Sequence, residues 1–228
     1  MERKYYEAYD DRYRQVHSQN LQWFYDDPTL IVMETIHKFN IRQDQTILEL
    51  GCGEGRDAHP LLNQGHSLLA TDISSAAIGY AQKKWPEFAS HFSVLDCIDC
   101  EMEEKYDFIY AIAVIHMLVE DSDRDRFYTF IQEHLNPNGI ALICSMGDGK
   151  TERQTDISTA FNLQIRVHEQ TGKEVQIAST SCRMVSFETL RAELKQNSLE
   201  ILEEGITAAH PDFPELMYVI VRKQINID

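Results

Sequence analysis

Between Gln45 and Gly147 short, apolar, β-branched runs alternate with segments of helical pattern, and this alternation restricts the architecture more than any other feature of the chain. Strands are predicted at 46–50, 67–71, 92–95, 108–112 and 140–144, and helices at 56–64, 74–85 and 123–134. Apolar strands separated by helices build parallel β-α-β units whose helices cover both sheet faces. Right-handed crossovers then make a doubly wound, mostly parallel α/β sheet the expected fold. Downstream, 165–168 and 174–178 flank the Gly172 turn as a hairpin, and a helix is predicted at 187–196. Strands at 200–207 and 215–222 are joined through His210-Pro211-Asp212-Phe213-Pro214 with no helical pattern between them, so this pair is expected to be antiparallel.

Residues 1–44 read as helical and carry Tyr5, Tyr6, Tyr9, Tyr13, Trp23, Phe24 and Tyr25. Nothing resembles a linker or a repeat, so one domain is expected: a helical cap (1–44), a ligand-binding core (45–147), a hairpin insertion (148–186) and a C-terminal helix and strands (187–228). With 37 acidic against 21 basic residues the formal charge is −16, which repels a phosphate backbone and offers no polybasic segment to an anionic membrane. The first residues contain no apolar secretory core and the longest apolar run, 108–119, is too short to cross a bilayer. Five cysteines without framework spacing suit a reducing cytoplasm. The lone Cys97-Ile98-Asp99-Cys100 pair lacks the second pair a zinc site needs, and no metal is expected.

Three of only ten glycines fall within Gly51-Cys52-Gly53-Glu54-Gly55, after the first strand and before a helix. That is the carboxyl end of a strand, where open α/β sheets bind ligands. Any Cβ there would hold a ligand off the backbone. A dinucleotide fingerprint, G-x-G-x-x-G, needs glycine at position 56, which is Arg56. Acids end the next two strands. Asp72 can accept from both hydroxyls of a ribose, and Asp96 from the exocyclic amine of an adenine. From the residues alone this supports an adenosine-type ligand at the strand ends.

With these residues in view, the sequence resembles the class I S-adenosylmethionine-dependent methyltransferases. The resemblance rests on Ile47-Leu48-Glu49-Leu50-Gly51-Cys52-Gly53-Glu54-Gly55, Asp72 and Asp96, on the strand and turn from Tyr106 to Leu118, and on His134-Leu135-Asn136-Pro137-Asn138-Gly139-Ile140, similar to the family's L-x-P-G-G lead into strand five with Asn138 replacing a glycine. It implies the Rossmann-like methyltransferase fold with an antiparallel last strand. It further implies that Gly51, Gly53 and Gly55 approach the methionyl part of S-adenosylmethionine, or of its product S-adenosylhomocysteine. Asp72 would hold the ribose, Asp96 and Cys97 the adenine, Ile73 its face, and Ala111 would lie near the sulfonium.

Methyl transfer from a sulfonium is an in-line displacement in which orientation can supply much of the rate. His116, just past the fourth strand, is the candidate base if the acceptor must lose a proton. Tyr9 and Tyr13, one helical turn apart, and Trp23 are candidate lid or acceptor-lining residues, with Arg12 or Arg14 able to meet a carboxylate. The segment after the fourth strand, Ala111-Ile112-Ala113-Val114, offers no polar clamp for a base amine, and with the acidic charge this favours a small-molecule acceptor methylated on O, N or S over nucleic acid. An NAD-dependent oxidoreductase and a non-catalytic cofactor-binding module remain as alternatives. Sequence does not choose between monomer and homodimer.

Overall fold

The computed structural model describes residues 3–100, 102–168, 170–208 and 215–224. Helices α1 (Ala8–His17) and α2 (Leu30–Lys38) precede a core of β1 (Thr46–Leu50), α3 (Ala58–Asn63), β2 (Ser67–Asp72), α4 (Ser75–Lys84), β3 (Phe92–Val94), β4 (Tyr106–Ile112), α5 (Asp121–His134) and β5 (Leu135–Met146). The chain continues through β6 (Arg153–Gln154), β7 (Leu163–Val167), β8 (Glu174–Ala178), β9 (Arg183–Met184), α6 (Phe187–Gln196), β10 (Leu199–Thr207) and β11 (Leu216–Lys223).

The main sheet has seven strands in the order β10-β11-β5-β4-β1-β2-β3. Strands β1 to β5 are mutually parallel, whereas β11 runs antiparallel to both β5 and β10. The order reverses beside β1, so the switch point expected to receive a ligand lies at the β1 and β4 ends.

Alternation along β4 shows why the strands are apolar throughout. Phe108, Tyr110 and Ile112 pack with Ile36, Leu61 and Ile78 on one face. Ile109 and Ala111 pack with Phe127, Ile131 and Leu190 on the other. A strand buried on both sides has no polar face to show.

The predicted helix 56–64 contracts to Ala58–Asn63 because the glycine loop continues as turns through Asp57. Strand 140–144 lengthens to Leu135–Met146, its register against β4 breaking between Tyr106 and Phe108 where residues 136–139 form the lead-in. The hairpin predicted around Gly172 is β7–β8, a separate two-stranded sheet. The predicted connection at 210–214 lies outside the described residues. No helix among the described residues is long and apolar enough to cross a membrane.

Candidate functional site

The glycine loop turns directly against two other parts of the chain. At Gly51, φ is +73° and a Cβ would stand 2.3 Å from Val114 Cγ2, just beyond β4. At Gly53, φ is +54° and a Cβ would stand 2.6 Å from the Tyr13 hydroxyl of α1. Both the left-handed backbone and the close approach exclude a side chain. Gly55 shares the positive φ but is not on the crevice wall: a Cβ there would meet the Phe92 ring at 2.9 Å.

Asp72, at the end of β2, is locked onto this loop. Its Oδ2 accepts from the Gly53 N–H at 2.9 Å and its Oδ1 from the Ser74 N–H at 2.8 Å. Burial pushes its pKa up to about 6, against the two amide donors and with help from nearby Asp10. Ile73 lies beside it on the wall of a crevice that also takes in Gly51, Gly53, Asp96 and Cys97. Asp96 Oδ1 accepts from the Ile98 N–H at 3.0 Å, while Oδ2 receives Lys4 Nζ at 3.1 Å and the Tyr6 hydroxyl at 3.3 Å. Burial raises the Cys97 thiol pKa.

Ala111 is not brought to this crevice. It is wholly buried in the sheet, paired with Leu50 and Ile143. The strand continues through Ile112, and Ile112, Ala113 and Val114 form the crevice wall instead.

Carboxylates concentrate in this crevice: Glu49, Glu54, Asp57, Asp72 and Asp96. Burial holds the Glu49 carboxyl well above the usual carboxylate range. Glu49 Oε2 and Arg56 Nη1 are buried without a hydrogen-bond partner among the described residues. Glu54, singled out by no motif argument, holds the N-terminal region in place: its carboxylate accepts from the Trp23 N–H at 2.7 Å and the Phe24 N–H at 3.0 Å, and meets His17 Nε2 at 2.8 Å. Asp10 of α1 caps the start of α4, accepting from Ser74 Oγ at 2.8 Å and the Ala76 N–H at 3.0 Å. The cap therefore closes over the crevice through side chains at both of its ends.

A second chamber adjoins the first, and Tyr9, Tyr13, Phe24 and Met117 line both. Its further walls include Trp23, His116 and residues of the β7–β8 hairpin and the segment after it. Tyr9 donates to the Ser181 carbonyl at 2.9 Å. His116 is 4% exposed, and burial, followed by the charges of Arg124 and Arg12, pushes its pKa down to about 3. Arg12 faces this chamber, whereas Arg14 is turned away and pairs with Asp10 at 2.6 Å. His17 is likewise outside it, stacked on Tyr80 at 4.4 Å. Arg183 pairs with Asp121 instead of lining either cavity. Sequence reasoning did not assign Tyr6, Glu54 or Met117 to these walls, although Tyr6 stands among the N-terminal aromatics, Glu54 inside the glycine motif and Met117 just past the fourth strand. Phe24, beside Trp23, was expected to line an acceptor pocket and does line both cavities.

Residues 48–141 match a family model described as a methyltransferase domain. A ubiquinone biosynthesis O-methyltransferase of Rickettsia typhi is 31% identical over 109 residues, covering 46% of this chain and 42% of that protein. The chain thus spans less than half the length of that curated relative and of the Rickettsia prowazekii enzyme of the same name. Among solved structures, a 1,6-didemethyltoxoflavin-N1-methyltransferase from Burkholderia thailandensis, with 1,6-didemethyltoxoflavin and S-adenosylhomocysteine bound, aligns over 99% of this chain and 92% of its own at TM-score 0.70 and 16% identity. An S-adenosylmethionine-dependent methyltransferase from Clostridium acetobutylicum ATCC 824 aligns over 96% and 99% at TM-score 0.67 and 14% identity. These two likenesses speak for the fold. Residues 48–141 thus match a methyltransferase domain, and the strand order and the glycine crevice are those that the resemblance to the class I, S-adenosylmethionine-dependent family implies.

Proposed function

We propose that the protein is a cytoplasmic methyltransferase that moves the methyl group of S-adenosylmethionine to an O, N or S atom of a small molecule. The observation that carries this reading is the crevice at the β1 end, where a side-chain-free loop faces a buried carboxylate at the end of the next strand. Asp72 would accept from the ribose hydroxyls with the lone pairs left by Gly53 and Ser74. Asp96 and Cys97 would meet the adenine, with Ile73 against its face. The unpartnered Glu49 Oε2 and Arg56 Nη1 offer an acceptor and a donor to the amino and carboxylate ends of the methionyl part.

The cofactor supplies an electrophilic methyl sulfonium. The chain's own part is to hold the acceptor in line and to keep water out, for which Tyr9 and Tyr13 stand at the junction of crevice and chamber and Trp23 on the chamber wall. An imidazole held near 3 is neutral at pH 7 and a weak base, so His116 acts chiefly by shaping and orienting the acceptor chamber. Cap, core, hairpin and C-terminal segments serve this one site as parts of a single domain.

The test is transfer of isotope-labelled methyl from S-adenosylmethionine into a metabolite extract, followed by fractionation. Label in a small, protein-free product is the expected result. Undiminished S-adenosylhomocysteine binding with no transfer would favour a non-catalytic module, and NAD binding in its place an oxidoreductase.

A further inference from the structure

The chamber beside the crevice is cationic in a protein whose formal charge is −16. Among the described residues its lining contains Arg12, Arg153 and Arg166 but no aspartate or glutamate, the reverse of the carboxylate-rich crevice that it joins. Arg12 is 8% exposed and has no carboxylate partner among the described residues. Its guanidinium donates to the Ala178 carbonyl at 3.1 Å, the Ser179 carbonyl at 2.8 Å and Thr180 Oγ1. It lies 5.1 Å from the ring centres of both Tyr9 and Trp23. The group is thus fixed in orientation by neutral acceptors and aromatic faces, with its charge left uncompensated. Buried charges are ordinarily paired, because an unpaired one is costly to remove from water. Arg166, on β7, is exposed and forms no salt bridge among the described residues, and its charge adds to the burial that presses the Arg12 pKa downward. Arg153, on β6, donates its Nε–H to Met184 Sδ at 3.0 Å and forms no salt bridge among the described residues.

Resting on the methyltransferase reading, we infer that the acceptor carries an oxyanion, a carboxylate or a phosphate, on a flat apolar body, and that Arg12 and Arg166 receive the anion while Trp23 and Phe24 face the body. Arginine suits this task because its planar donors match an oxyanion in pairs. The anion would supply the missing countercharge in the chamber while the methylated atom reaches toward the shared wall at Met117.

Binding is measured by calorimetry on the full chain loaded with S-adenosylhomocysteine, using benzoate, phenyl phosphate and uncharged benzamide as probes, with Arg166→Gln as the variant. Benzoate or phenyl phosphate should bind at least tenfold tighter than benzamide, and whichever is tighter identifies the oxyanion. In Arg166→Gln that preference should fall by a factor of about ten, the loss of one charge-assisted hydrogen bond. S-adenosylhomocysteine affinity should stay within twofold. Equal binding of benzamide and the two anions, or a preference unaltered by Arg166→Gln, overturns the inference while leaving cofactor binding intact. Failure of S-adenosylhomocysteine to bind the wild-type chain would instead remove the reading on which it rests.

Discussion

The two adjoining cavities are built by opposite means. The crevice is made by the ends of parallel strands, is rich in carboxylates, and depends on backbone geometry at Gly51 and Gly53. The chamber is made by α1, the irregular segment around Trp23 and the β7–β8 hairpin, is cationic, and depends on side chains brought together from distant parts of the chain. A ligand common to a whole family requires the first kind of construction, because strand-end geometry cannot drift without losing the sheet. A ligand particular to one protein suits the second, since loops and hairpins can change without disturbing the core.

The sharpest way to break this contrast is Asp72→Ala, which should touch only the crevice. Loss of a charge-assisted hydrogen bond, worth about 1.5–3 kcal/mol, should weaken S-adenosylhomocysteine binding about 10- to 100-fold by titration calorimetry. Anion binding in the chamber should change little. If the chamber ligand is lost equally, the two cavities are one cooperative unit.

The pH dependence should separate them next. On the proposed reading the ribose hydroxyls would donate to the ionised Asp72 carboxylate, so protonation would compete with cofactor binding. With its pKa raised by burial to about 6, affinity should be constant above neutrality and fall as pH drops through that value. At pH 5 the expected loss is about tenfold, and Asp72→Asn should flatten the curve. A flat wild-type profile from pH 8 to 5 would contradict the assignment.

Glu54→Gln acts at the seam between the two. The amide cannot accept from both the Trp23 and Phe24 N–H groups and keep the bond to His17. The cap should loosen, raising the acceptor KM about 3- to 10-fold with a smaller change in cofactor affinity. The smallest effect concerns His116. With its pKa pushed down to about 3, it should not titrate between pH 5.5 and 8, and His116→Gln should leave the shape of the kcat profile there unchanged. An inflection near pH 6.5 that vanishes in the variant would restore His116 as a general base.

The contrast also explains what the sequence disclosed. Strands β1, β2, β4 and β5 stood out because burial on both faces makes them nearly continuous apolar runs, and Gly51, Gly53 and Asp72 stood out because each closes or follows such a run. Asp96 follows the short edge strand β3, whose Ser93 and Val94 are exposed. Ala111 was misplaced although the strand's end at Ile112 was legible, because its burial between the neighbouring strands β1 and β5 is encoded by no local pattern. The chamber was barely legible. Tyr9, Tyr13 and Trp23 could be suspected from aromatic density, but Arg12 could not be told from Arg14 until α1 had been docked. Arg166 was an ordinary hairpin residue until that docking set it against Tyr9 and Arg12. Glu54, in the middle of the glycine motif, served a purpose outside it, and only the folded cap reveals this.

The most direct test of the central claim is titration of S-adenosylhomocysteine and of NAD into the purified chain. The strand-end crevice predicts one S-adenosylhomocysteine bound per chain at about micromolar Kd, sharply weakened by Asp72→Ala, and no saturable NAD binding. Silence toward S-adenosylhomocysteine at millimolar concentration, or saturation by NAD instead, would contradict it.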